Sequence, residues 1–115
     1  MIDTIKTDRE LLELAAKAAK MNTREFATDS ITRWHWREDG THTAWNPLTD
    51  DGDALRLAVK LRFTVRVWVN AIVVDDCAGV RQAYEDTGCR SPDYEAEATR
   101  RAITRAAAAI GEGMK

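Results

Sequence analysis

Between residues 63 and 70 the chain alternates strictly: Phe63, Val65, Val67 and Val69 fall on one side of an extended backbone, and Thr64, Arg66, Trp68 and Asn70 on the other. Such a strand has one face to bury, and on both flanks the spacing becomes helical. Upstream, the acid-rich opening Asp50-Asp51-Gly52-Asp53 leads into the stripe Ala54, Leu55, Leu57, Ala58 and Leu61, with Thr49 or Asp50 as cap and the acids on the positive end of the dipole. Downstream, Ser91-Pro92-Asp93 opens a long helix with Ser91 as cap and Pro92 at the first helical position. Its apolar side is Tyr94, Ala98, Ala102, Ile103, Ala106, Ala109 and Ile110, its outer side Arg100, Arg101, Thr104 and Arg105, and Gly111 and Gly113 are its C-cap candidates.

The rest of the chain follows the same grammar. Thr7-Asp8-Arg9-Glu10 is a capping box, and Leu11, Leu14, Ala15, Ala18 and Ala19 follow as one apolar stripe ending near Met21-Asn22. From Ser30 to Trp36 alternation puts Thr32, Trp34 and Trp36 on one side, and Asp39-Gly40 is a tight-turn signal that returns Thr41 to Trp45 as the second arm of a hairpin. Pro47 stops that arm. Ile72-Val73-Val74 continues the sheet, and Val80 to Tyr84 is an edge-strand candidate after the Cys77-Ala78-Gly79 turn. The order helix, hairpin, helix, strands, helix predicts an α+β fold: a single compact domain over 1–115, an α/β/α sandwich whose mostly antiparallel sheet is covered by three helices.

Three stretches carry a resemblance: Leu11 to Ala19, Trp45 to Val59, and Ala98 to Ile110-Gly111. Through them, and most of all through Trp45-Asn46-Pro47-Leu48-Thr49-Asp50-Asp51-Gly52-Asp53-Ala54, the chain resembles small bacteriophage and prophage proteins of the phage ABA sandwich type. The resemblance implies an α/β/α arrangement and a phage origin, hence a place in the host cytoplasm and in host–virus interaction. It brings no catalytic motif. The segment Cys77 to Ser91 lies outside it.

Composition narrows the function classes. Hydrophobic residues are 44% of 115, against 6 Gly and 2 Pro, the balance of a packed protein. The 17 basic and 19 acidic residues nearly cancel, so a nucleic-acid partner is not expected and a charge-driven partner must meet a local patch. The uncharged run Val67 to Val74 is far short of the roughly 20 residues of a membrane span, and Met1 to Met21 lacks the apolar centre of a signal peptide. No G-x-S-x-G, H-E-x-x-H, G-x-G-x-x-G or phosphate-loop spacing occurs, so an enzyme is not expected, and no cofactor is implied.

The candidate groups point the same way. The acids at Asp50 to Asp53 repel phosphate from a helix start that would otherwise attract it, and they lack the calcium-loop template. His35 and His42 flank the hairpin turn as surface residues. Cys77 and Cys89, twelve positions apart, read as ordinary reduced thiols, so no metal site is expected. Asp75 and Asp76 read as solubilising charges at a strand end. The binding candidates are the hairpin tryptophans Trp34, Trp36 and Trp45 and the helix arginines Arg100, Arg101 and Arg105, with Glu97 placed to pair with Arg101. If the tryptophans are buried, the candidate moves to the charged segment Asp75 to Arg90. The expectation is a non-enzymatic phage accessory protein that binds and modulates a host protein or complex, for example as a counter-defence inhibitor. Alternatives are a small-ligand sponge for a nucleotide signal and an assembly protein that forms a homodimer or larger oligomer.

Overall fold

The structure is a computed structural model and describes residues 7–25, 33–36, 39–68, 71–86 and 92–114. Its elements are α1 (Asp8–Ala18), β1 (Asn22–Glu25), β2 (Arg33–Trp36), β3 (His42–Trp45), α2 (Asp51–Lys60), β4 (Thr64–Val67), β5 (Ala71–Asp75), β6 (Arg81–Asp86) and α3 (Pro92–Glu112). The capping box forms at Thr7, whose hydroxyl accepts from the Glu10 amide while the Glu10 carboxylate accepts from the Thr7 amide, both at 3.2 Å. Asp50 is the cap of α2, accepting from the Asp53 amide at 2.8 Å.

Helices α1 and α2 end in the same way. Met21 N–H bonds to Ala16 O and Lys20 N–H to Lys17 O; Phe63 N–H bonds to Ala58 O and Arg62 N–H to Val59 O. These are two Schellman motifs, which need a left-handed residue just past the helix. Lys20 (φ 56°) and Arg62 (φ 57°) fill that place without being glycine. At the predicted hairpin turn only Gly40 (φ 89°) is left-handed; Asp39 instead accepts from the Thr41 amide and hydroxyl through its side chain, so the connection is longer than the two-residue turn expected.

Helix α3 is the centre of the molecule. From Ala102 to Ala108 only Arg105 is exposed, so the stretch is surrounded and not merely striped. Thr104, expected outside, is fully buried, its hydroxyl donating to Arg100 O at 2.8 Å. Ala109, expected inside, is exposed. One side of α3 packs on Ile72, Val74 and Ala83 of the β4–β5–β6 sheet, and its other sides meet α1 and α2. Each fully buried aliphatic side chain here, such as Leu12 or Ile72, contributes about 1.5–3 kcal/mol.

Helices α1 and α3 run in the same direction: Asp8 meets Arg101 at 3.1 Å, and at the C-terminal ends Lys17 Nζ donates to Met114 O, just past α3, at 2.9 Å. Between these contacts Gly111 faces Leu14 so closely that a Cβ there would sit 2.0 Å from the Leu14 carbonyl oxygen. Gly111 is therefore inside α3, at the point where two backbones touch, and is not the helix cap.

The class is α+β, with antiparallel pairing throughout the described strands. The layering differs from the single sheet expected. There are two three-stranded sheets, β1-β2-β3 and β4-β5-β6, because the Asn46-Pro47 corner and α2 separate the hairpin from the later strands. Helix α3 packs on one face of β4-β5-β6, and the other sheet lies against α1 and α2, with Arg33 reaching Glu13 at 3.7 Å. Strand β1, which has no apolar alternation, pairs with β2 from Asn22↔Trp36 to Glu25↔Arg33. The predicted edge strand at 80–84 is β6, and the expected strand residues 30–32, the Ser91 cap, Cys89 and Val69-Asn70 lie outside the described residues.

Candidate functional site

The sequence-predicted binding residues do not form one surface. Trp45 is only 4% exposed and belongs to the core. Trp34 and Trp36 lie in β2, and their side chains are outside the described set. The three arginines diverge. Arg100 donates to Leu48 O at 3.0 Å and to Asp51 at 2.7 Å, Arg101 to Asp8 at 3.1 Å, not to the expected Glu97, and Arg105 to Glu85 at 2.6 Å. They tie α3 to the start of α2, to α1 and to β6. Asp53, read as a dipole acid, is buried and accepts from the Asn46 amide at 2.9 Å and from Arg56 at 2.7 Å, which fixes the Trp45-Asn46-Pro47 corner.

The surface with recognition chemistry is the face of β4-β5-β6 away from α3. Alternation that turns Val65, Val74 and Ala83 inward turns Arg66, Val73 and Tyr84 outward as one rung of paired residues. Val73 is buried between its two large neighbours, whereas Tyr84 is 53% exposed. Trp68, two residues beyond Arg66 and held to Ala71 O by its amide, is 57% exposed on the same side. A bulge between Val74 and Asp75 shifts the register, so that Asp75 pairs with Arg81; this reverses the facing of Arg81 and places its guanidinium 5.9 Å from the Tyr84 ring centre. Asp75 is buried and ion-paired with Arg66, so it is a part of the sheet and not a solubilising charge.

The β5–β6 turn is built on Asp76. Its carboxylate accepts from the Val80 and Ala78 amides and from Gln82 Nε2, all at 2.9 Å. The Val80 amide above all, with help from Gln82 and Ala78, holds the Asp76 carboxyl below its ordinary value. Gly79 (φ 84°) supplies the left-handed residue of this turn, and Val80 is left exposed beside the open face.

Cys77 is exposed and free. The hairpin register pairs His35 with Thr43 and His42 with Trp36, so the two histidines are not opposite one another. Among the described residues no group of three His, Cys, Asp or Glu is placed to hold a metal ion. No described helix is long and apolar enough to cross a membrane. No family model, curated protein or solved structure matches the chain.

Trp68 and Tyr84 are not among the binding candidates the sequence pattern suggests. Their signal was present in the alternation: Trp68 shares its side with Thr64, Arg66 and Asn70, and an aromatic residue on the polar side of a strand is a residue placed outside.

Proposed function

We propose that the protein is a non-enzymatic accessory protein that docks on a host protein or complex and modulates it, with the open face of β4-β5-β6 as its docking surface. The observation that carries this reading is that Trp68 and Tyr84, each more than half exposed, share one sheet face with Arg66 and Arg81. Trp, Tyr and Arg are the residues that dominate protein-interface hot spots, and the rung around buried Val73 makes a firm base for them. A protein partner fits better than a nucleic acid. Arg66 is neutralised by Asp75, so of these two arginines only Arg81, resting over Tyr84, offers a charge to phosphate, too little for a nucleic-acid backbone. The phage-like stretches make a bacterial host the source of the partner, and blocking a defence complex the form of the modulation.

A pull-down from bacterial lysate tests this, with wild type, a Trp68→Ala/Tyr84→Ala variant, and Leu55→Ala on the exposed side of α2 as control. Wild type and the control should capture the same specific protein and the double variant should lose it. Equal capture by the double variant, or no specific capture by wild type, overturns the reading.

A further inference from the structure

We infer that the outer side of α2 is the contact between two copies of this chain, laid antiparallel about a two-fold axis that passes beside Leu57. Leu55 and Val59, 64% and 68% exposed, are the most open of the large hydrophobic residues described, and they stand one turn apart on a single ridge. Beside that ridge is a shallow apolar hollow of about 310 Å³ between α2, α3 and β4, lined by Ala54, Ala58, Val65 and Ile103. A ridge next to a hollow suits an isologous contact, because each copy offers both parts to the other.

Charge selects a second copy as the occupant. At the start of α2 three carboxylates, Asp50, Asp51 and Asp53, face two guanidiniums, Arg56 and Arg100, which leaves one negative charge. At its end the Lys60 and Arg62 side chains carry no hydrogen bond or ion pair among the described residues, which leaves two positive charges. A partner that satisfies both ends carries the reverse order of charge along an apolar ridge, and α2 run backwards is such a partner. The Asp50 carboxylate lies 3.2 Å from where a Gly52 Cβ would stand, on the exposed side of the helix. With Leu55 against the partner's Val59, Asp50 faces the partner's Lys60, and Asp51 stands within a turn of the partner's Arg62. The helix dipoles then oppose and add to the same attraction, whereas a parallel pair would set acid on acid. This pairing is independent of the docking reading: the hollow lies on the inward side of β4, with Val65, and Trp68 and Tyr84 are on the other face of that sheet.

Sedimentation velocity of the full chain from about 10 μM to about 1 mM tests the contact, a range suited to an interface smaller than the standard roughly 800 Å² per partner. Wild type should pass from monomer to dimer across that range. Leu55→Gln/Val59→Gln should stay monomeric throughout, and Lys60→Glu should raise the dissociation constant roughly tenfold, with circular dichroism showing both variants folded. Carbodiimide coupling of wild type should join Lys60 to Asp50 or Asp51. Such a link must run between copies, because nine residues of helix hold Lys60 and Asp51 of one chain about 13.5 Å apart, farther than a lysine side chain reaches. A chain that is monomeric at the highest concentration, a dimer that either variant leaves unchanged, or a dimer that yields no Lys60 link to those acids overturns the inference.

Discussion

Replacing Gly111 by alanine sets two physical effects against each other. Helix propensity alone makes the change favourable by about 1 kcal/mol, since Gly111 lies within α3. Packing opposes it: the new Cβ would stand 2.0 Å from the Leu14 carbonyl oxygen and 2.8 Å from its carbon, both backbone atoms that no rotamer change can move. Restoring ordinary contact requires α1 to retreat from α3 by about 1.4 Å, and a gap of about 1 Å already forfeits up to half of a dispersion contact. Overpacking costs about 1–3 kcal/mol, and a backbone obstruction belongs at the upper end. The net expectation is a loss of about 2 kcal/mol, or a fall in Tm of roughly 6–12 °C at this chain length. Thermal unfolding followed by circular dichroism measures it. Gly113→Ala is the control, because its Cβ would be 3.6 Å from the nearest atom, and it should stay within about 0.5 kcal/mol of wild type. A Gly111→Ala protein as stable as wild type would show that α1 and α3 do not meet backbone to backbone.

Lys20→Gly and Arg62→Gly should each stabilise the protein by about 0.5–1 kcal/mol, since both residues hold a left-handed conformation that glycine adopts freely; urea unfolding with unchanged m-values would show it. The Asp76 carboxyl has a folded pKa below its unfolded value of about 3.9, so its contribution is complete above that pH and is lost as pH falls through the lowered folded value. Asp76→Asn should therefore be less stable than wild type by a constant margin above about pH 5, and the two melting curves should converge below about pH 4; a margin independent of pH would contradict the turn assignment.

What was legible in the sequence follows from how local each feature is. The Thr7–Glu10 box and the Asp50 cap involve residues three apart and could be read directly. So could the α+β class, because a period of two beside periods near 3.6 leaves few alternatives. Strand β1 was hidden because Asn22-Thr23-Arg24-Glu25 has no pattern of its own and is a strand only through its pairing with β2. Gly111 illustrates a general ambiguity: a glycine near the end of a helical pattern reads the same whether it caps the helix or lets another backbone cross it. The arginines of α3 were visible as a cluster, yet their partners Asp8, Asp51 and Glu85 come from three distant segments, so neighbours in sequence became members of three separate contacts. For the site, the exposed Trp68 was encoded in the alternation, whereas the Asp53–Asn46–Arg56 corner appears only once the hairpin is folded against α2.

The parallel seating of α1 on α3 also governs how the chain behaves while it is being made. The contacts that join the two helices span 93 and 97 residues, Asp8 to Arg101 and Lys17 to Met114. At a synthesis rate of about 5–20 residues per second, α1 waits roughly 5–20 s for its principal partner to be polymerised. Through that interval the part of the Leu11, Leu12 and alanine stripe that α3 will cover is open. A stripe made mostly of methyl groups suits such a wait: it adheres weakly to other nascent chains, and it becomes a firm contact only when a second stripe equally small, with Gly111 at its narrowest point, arrives to lie along it.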